Sequence, residues 1–255
     1  TNGTMILNNV GVKGNQENQI RNAQAIASYI NYDIEYKGLK ISPGVRYERI
    51  EFDFQNFGNN DNGRLGAGLR SATNTMSIVL PGIGFNYAFK NGSDLFAGIH
   101  KGFSPPGMPS VNSTSQAKVE TAINYELGYR YDQNGLHIQA AAFLNDYENI
   151  LGSDNMSAGG LGTGDQFNAG NATIKGIELS AAYNFLEMKN TNLKLPVQIA
   201  YTYTNASFRE TFRNGGGDWG SGIITKGDLI RFITPHLFTA SVGFETSKFN
   251  TLLVA

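Results

Sequence analysis

The residues that could carry catalysis or metal chemistry are few and badly spaced for it. His100, His137 and His236 have no spacing suited to a metal site. With no cysteine in the chain there is no disulfide and no thiolate ligand. Gly159-Gly160-Leu161-Gly162-Thr163-Gly164-Asp165 is superficially like a phosphate loop or a calcium repeat. It lacks the Lys-Ser/Thr of the former, the helix of a dinucleotide site and the repetition of the latter, so a flexible loop is expected. No Ser/His/Asp arrangement and no close pair of carboxylates stands out, and the reading is that the chain is not an enzyme and needs no cofactor. What remains are charges on otherwise alternating segments.

The elements that position these charges read as strands. Period-two alternation dominates. From Ile26 to Tyr36 the even positions are Ile26, Ser28, Ile30, Tyr32, Ile34 and Tyr36. Val119, Thr121, Ile123, Tyr125, Leu127, Tyr129 and Tyr131 alternate with Glu120, Ala122, Asn124, Glu126, Gly128, Arg130 and Asp132. Leu193, Leu195, Val197, Ile199, Tyr201 and Tyr203 oppose Lys194, Gln198, Thr202 and Thr204. Each such strand has one apolar and one polar face. About ten strands are expected, starting near Arg21, Leu39, Asn74, Asp94, Val119, Leu136, Asn168, Leu193, Asp228 and Asn250. Two kinds of connection alternate between them. Tight turns are expected at Tyr36-Lys37-Gly38, Lys90-Asn91-Gly92-Ser93, Asp132-Gln133-Asn134-Gly135, around Glu187–Asn192 and at Thr246–Phe249. Long Gly/Asn/Ser-rich loops are expected at roughly 55–73, 104–118, 150–167 and 208–226.

Composition limits what such strands can build. A formal net charge of -1 leaves no electrostatic footprint for nucleic acid. A mean hydropathy of -0.27, with no long apolar run, excludes a transmembrane helix. It is compatible with a transmembrane β-barrel, whose strands average a lipid face with a water face. Short turns at one end and long loops at the other fit a bacterial outer-membrane barrel better than a soluble sandwich. Aromatic residues near the tight turns (Tyr32 and Tyr36, Tyr87 and Phe89, Tyr129 and Tyr131, Tyr183 and Phe185) fit a headgroup-level girdle. Cross-strand aromatic pairing in an ordinary sheet is the plainer alternative. Thr1-Asn2-Gly3-Thr4 shows no targeting signal, and both ends read as cut, so a fragment is expected.

Several phrases then carry a resemblance. They are Ile41-Ser42-Pro43-Gly44-Val45-Arg46-Tyr47-Glu48, Lys101-Gly102-Phe103-Ser104-Pro105-Pro106 and Asn124-Tyr125-Glu126-Leu127-Gly128-Tyr129-Arg130-Tyr131. Two more are Ala140-Ala141-Ala142-Phe143-Leu144-Asn145-Asp146-Tyr147 and Gly170-Asn171-Ala172-Thr173-Ile174-Lys175-Gly176-Ile177-Glu178. In order and spacing the chain resembles the barrel of TonB-dependent outer-membrane receptors of the ferric siderophore or ferric citrate type.

The resemblance implies an all-β fold: an antiparallel transmembrane β-barrel segment, about ten strands of a 22-stranded barrel, with short periplasmic turns and long extracellular loops. Residues 1–255 would be part of one β-barrel domain, without the N-terminal plug, the TonB box or the last barrel strands. The location implied is the outer membrane of a Gram-negative bacterium, crossed many times. The partners implied are a ferric-chelate substrate, outer-membrane lipid, the plug domain of the parent chain and TonB. Glutamates in phrases like those of Glu126 and Glu178 form ion pairs with plug arginines in the family, so these two are the candidate plug contacts. Arg46, Glu48, Glu120, Arg130 and Asp132 are lesser ones. A ferric chelate of citrate or a catecholate is anionic, which makes Arg64, Arg70, His100, Lys101, Arg209, Arg213, Lys226 and Arg231 candidate ligand-binding residues, with Trp219 as a stacking surface. A passive porin, an adhesive barrel and a soluble secreted β-sandwich that binds glycan or protein are the alternatives.

Overall fold

In the computed structural model the described residues are 18–58, 61, 63–106, 117–153, 166–185, 193–215, 219 and 221–255. They form strands and turns, with no helix long and apolar enough to cross a membrane. The strands are β1 (Gln19–Asn31), β2 (Ile34–Tyr36), β3 (Leu39–Asn56), β4 (Arg70–Ala88), β5 (Ser93–Ser104), β6 (Glu120–Gln133) and β7 (Leu136–Glu148). They continue with β8 (Leu151–Ser153), β9 (Gln166–Asn168), β10 (Ala172–Asn184), β11 (Pro196–Phe208), β12 (Phe212–Gly215), β13 (Ser221–Ile224), β14 (His236–Glu245) and β15 (Asn250–Val254). Ten of them follow one another in a single antiparallel sheet, in the order β1-β3-β4-β5-β6-β7-β10-β11-β14-β15, and β2 also pairs with β3. Every neighbour on that path is also the next long strand in sequence, an up-and-down arrangement without crossovers.

The tight turns lie between the strands that alternation separates. Lys37 and Gly38 hold φ of 46° and 86°, and Asn134 and Gly135 hold 55° and 74°. Positive φ at both central residues is the two-residue hairpin whose twist matches the flanking strands. A side chain at Gly38 would also bring a Cβ within 2.8 Å of the Ala88 carbonyl oxygen.

Four expected starts move by three residues or more, the one expected from Leu193 beginning at Pro196. The strand expected from Asn74 begins at Arg70. The one expected from Asn168 begins at Ala172, because Asn168 ends the short strand β9. The strand expected from Asp228 begins only at His236, the preceding residues being turns and an isolated Ser207–Leu229 bridge. The expected loops at 150–167 and 208–226 each contain a small hairpin, β8–β9 and β12–β13. Their strands are too short for alternation to register. The turn around Glu187–Asn192, the segment Gly159–Asp165 and residues 107–116 of loop 104–118 lie largely or wholly outside the described residues.

The chain divides into two compact units. The described part of the smaller is residues 18–27, 48–58, 61 and 63–78. Its buried residues include Ile50, Phe52, Phe54, Phe57 and Met76, with Asn18, Asn56 and Asp61 as buried polar groups. The larger contains residues 28–47, 79–106 and 117–255. Its buried cluster is Ile150, Ala169, Ala172, Ala206, Phe208, Ile224 and Ile230, against which Tyr147, Phe167, Ile174, Phe212, Trp219 and Ile233 pack. This cluster draws together the long-loop ends of β10 and β11 and both small hairpins.

The two faces of the long strands exchange character along their length. Near the short turns β10 places Tyr183, Leu179 and Ile177 on one face and Ser180 and Glu178 on the other. Toward the long loops the first face continues as Lys175 and Thr173, while the second continues as the cluster residues Ile174 and Ala172. On β11 the same exchange takes Ile199, Tyr201 and Tyr203 to Asn205 and Ser207, and Gln198 and Thr202 to Ala206 and Phe208. Strand β3 runs unbroken through its own exchange, from Val45 and Tyr47 to Arg49, Glu51 and Asp53, while the opposite face turns from Arg46 and Glu48 to Ile50, Phe52 and Phe54. A strand with one fixed environment per face would show no such exchange, so the surroundings of both faces change at that level.

Candidate functional site

The polar face near the middle of β5, β6, β7 and β10 carries the sequence-predicted carboxylates. Glu126 of β6 lies opposite Phe143 of β7, and Glu178 of β10 lies opposite Ala141 of the same strand. The two therefore flank β7 on one face, at nearly the same height. Together with His100, Asn124, Tyr125, Ala141, Phe143 and Asn145 they line a concavity of about 290 Å³. His100, Asn124 and Asn145 form one register row across β5, β6 and β7. Neither Glu126 nor Glu178 has an ion-pair partner among the described residues. The site offers acceptors in excess of donors, and it suits a cation or a guanidinium presented from outside this chain.

Sequence reasoning named Glu126, Glu178 and His100 but missed Asn124 and Asn145. Alternation places both asparagines on the polar face, yet only the strand register brings them beside the carboxylates. The lesser candidates have internal partners. Arg130 reaches Asp94 at 3.5 Å and lies 4.4 Å from the centre of the Phe96 ring. Asp132 faces His137 at 3.1 Å, and Glu120 accepts the Leu151 amide at 2.7 Å. Arg46 and Glu48 likewise have partners. Arg46 lines a second concavity of about 530 Å³, to which β3, β4 and β5 contribute Gly44, Gly82, Gly84 and Gly98 among larger residues.

The loop cations do not form one group. Arg64 has φ of 55°, donates from Nε to the Asn18 side-chain oxygen at 3.0 Å and lies over the Phe57 ring. Asp61 organises the same loop by accepting the Leu65 and Gly66 amides at 2.8 and 2.6 Å. The Leu65 amide, with those of Gly66, Ala67 and Arg64, holds the Asp61 carboxyl below the usual carboxylate range despite its burial. Arg70 is the first residue of β4. Arg213 on β12, Lys226 and Arg231 are exposed. Trp219 is packed edge-to-face against Phe208, with ring centres 5.8 Å apart, and its ring lines the small space beside Gly152.

Two of the cations stand on the other face from the carboxylates. Lys101 shares its face with Ile99 and Ile123, not with His100. Arg209 pairs with Asp146 at 2.9 Å, and Asp146 shares its face with Leu144. That face is apolar over most of its length and carries exposed Leu95, Ile99, Tyr125, Leu127, Ile177, Leu179 and Ile199, among others. So much exposed hydrocarbon on one side of a sheet calls for an apolar solvent.

The family model for the TonB-dependent receptor-like β-barrel matches residues 2–254. The chain belongs to the TonB-dependent receptor family. Among curated relatives, the pesticin receptor of Yersinia enterocolitica is 28% identical over 192 residues, which cover 68% of this chain and 28% of that protein. Among solved structures, the ferric yersiniabactin uptake receptor of Yersinia pestis superposes with a TM-score of 0.66 at 19% identity, over 92% of this chain and 33% of that one. The unliganded ferric citrate transporter FecA gives 0.65 at 22% identity, over 90% and 31%. At these identities the structural likeness shows the fold. The chain spans about a third or less of the length of the proteins it matches.

TonB-dependent receptors are transport receptors of the Gram-negative outer membrane, and membership assigns the two faces. In a barrel of this family the apolar face of the sheet is the one suited to lipid, and Glu126 and Glu178 stand on the opposite, polar face.

Proposed function

We propose that these residues form part of the barrel wall of an outer-membrane receptor that imports a ferric siderophore or ferric citrate with energy delivered through TonB. The observation that carries this reading is the pair Glu126 and Glu178, two lumen carboxylates across one strand with no cation among the described residues to neutralise them. In a passive pore such carboxylates would stand in water and favour cations, whereas in an occluded barrel they need a fixed cationic partner. A plug domain with arginines at the matching height gives each carboxylate a charge-assisted partner and keeps the resting lumen occluded. In this reading the short turns are periplasmic and the long loops extracellular. In the larger unit, Arg213, Lys226 and Arg231 then lie on the side where an anionic chelate arrives, with His100 deeper on the lumen wall. The cluster around Phe208 and Trp219 gives the loops after β7 and β11 a fixed scaffold beside the entrance.

Growth of a deletion strain on single iron sources tests the reading. A requirement for this receptor is expected on one ferric chelate, and it should vanish in a strain that also lacks TonB. Full growth of the deletion strain on every ferric chelate, or uptake that persists without TonB, would refute it.

A further inference from the structure

Two phenylalanines of the polar face lie across glycines of the next strand. Phe96 of β5 lies opposite Gly128 of β6, and a Cβ on Gly128 would overlap the far edge of the Phe96 ring. Phe143 of β7 lies opposite Gly176 of β10, and a Cβ on Gly176 would stand 2.7 Å from the Phe143 ring. Each ring therefore reaches over from its own strand and covers bare backbone, the arrangement by which an aromatic side chain shields a glycine in a sheet. One face of the ring is then turned away from the sheet.

The first of these stacks is complete within the chain. Arg130, two residues beyond Gly128 on β6, places its guanidinium carbon 4.4 Å from the centre of the Phe96 ring. Its Nε lies 3.5 Å from Asp94, which stands directly opposite it on β5. Asn86 of β4 donates to the same Asp94 oxygen at 2.8 Å and fixes the carboxylate. One planar cation thus lies on an aromatic face and meets an acid at its edge. Arginine suits this place because its plane stacks while its N–H groups point outward in that plane.

The second stack has the platform and the acids but not the base. The position that corresponds to Arg130, two residues beyond Gly176, holds Glu178, and the one that corresponds to Asp94 holds Ala141. Glu126 lies directly opposite Phe143 on the other side of β7. Phe143, Ala141 and both carboxylates line the same concavity of about 290 Å³. Phe143 is half-buried, and among the described residues no cation lies over its ring. A guanidinium entering this space meets one ring face and two carboxylates. An ammonium is a point charge and gains less from a flat platform with acids at its margin.

We propose that Phe143 is a positioning residue of the latch between barrel and plug. Its ring, laid over Gly176, carries a plug guanidinium on its free face and turns the N–H edges toward Glu126 and Glu178. The inference rests on the reading that a plug fills the lumen. It goes further in naming the platform and in requiring a planar cation there. The pair of stacks also accounts for the reversal of charge between them: where the cation is internal the strand supplies Arg130, and where it comes from outside the strand supplies Glu178.

The test is a double-mutant cycle in the full receptor, read as sensitivity to a large antibiotic that the intact outer membrane excludes. Heat-modifiable migration on gels follows the amount of folded receptor. Phe143→Leu, and independently Phe143→Met, cover Gly176 without a ring face, and each should raise sensitivity about threefold at unchanged abundance. Phe143→Tyr keeps the face and should stay at the wild-type level. In the background of Glu126→Gln with Glu178→Gln, neither Phe143→Leu nor Phe143→Met should add anything, because no guanidinium is then held for the ring to orient. Wild-type sensitivity of both Phe143→Leu and Phe143→Met would overturn the role of Phe143, as would an equal increment from them in both backgrounds. Either result, with the glutamine pair itself leaking, leaves the latch standing without Phe143. A glutamine pair that does not leak refutes the latch, and the role of Phe143 with it.

Discussion

The full receptor carrying Glu126→Gln and Glu178→Gln together is expected to leak. Its outer membrane should admit large antibiotics normally excluded, with sensitivity rising about tenfold, while folded receptor stays at wild-type abundance. The argument is one of charge. Glutamine keeps the shape and one acceptor oxygen of each side chain, so the concavity lined by Asn124, Phe143 and Asn145 is preserved. What disappears is the negative charge on both sides of β7, and with it the attraction for arginines presented by the plug. A hydrogen bond to a charged group contributes about 1.5–3 kcal/mol when sheltered, and less where water reaches it. Each single variant should therefore loosen the plug modestly, and the pair should exceed their sum, because the remaining carboxylate holds the plug while one is intact. Sensitivity of the double variant equal to wild type would remove both residues from the latch.

Gly176→Val should abolish assembly of the sheet, lowering folded receptor in the outer membrane about tenfold or more. Gly176 lies directly opposite Phe143 on β7 and Thr204 on β11. A Cβ at this position would run into the backbone carbonyl oxygen of Tyr203 and stand 2.7 Å from the Phe143 ring. A ring can rotate aside, but a carbonyl on the paired strand cannot move without breaking the ladder between β10 and β11. Overpacking alone costs about 1–3 kcal/mol, and the lost strand pairing adds to it. Phe143→Ala should therefore fail to rescue Gly176→Val, whereas Ile177→Val next door should assemble normally. Heat-modifiable migration of outer-membrane fractions measures all three. Wild-type amounts of folded Gly176→Val would show that β10 and β11 are not packed as closely as described.

Much of this arrangement was legible before any coordinates. Alternation located ten long strands, and Lys37-Gly38 and Asn134-Gly135 located tight hairpins, because period and turn chemistry are local properties. Glu126 and Glu178 could be placed on a polar face for the same reason. What alternation could not supply was register. It is pairing with β7 that brings Glu126, Glu178, Asn124 and Asn145 to one concavity from segments far apart in sequence. Pairing likewise sets His100 in one row with Asn124 and Asn145.

The exchange of faces was written in the residues but reads as noise without the fold. In β3 the adjacent polar residues Glu48 and Arg49 look like a slipped period, where the structure has one continuous strand. The hairpins β8–β9 and β12–β13 escaped for the opposite reason. Three or four residues in a glycine-rich stretch leave no periodic trace, and it is burial of Phe208, Phe212 and Trp219 that gives them structure.

Nitroxide scanning of β10, one residue at a time in the full receptor in native-like bilayers, tests most directly whether this sheet is membrane wall with the faces assigned here. These 255 residues contain no cysteine, so a cysteine introduced for labelling is the single one within this segment. Labels at residues 177, 179, 181 and 183 should be accessible to dissolved oxygen and shielded from a water-soluble nickel relaxant. Labels at 176, 178 and 180 should show the reverse or be occluded from both, and at 175 and 173 the outward face should turn from oxygen to nickel. Nickel access at 177 and 179 equal to that at 175, or no alternation at all, would contradict the account.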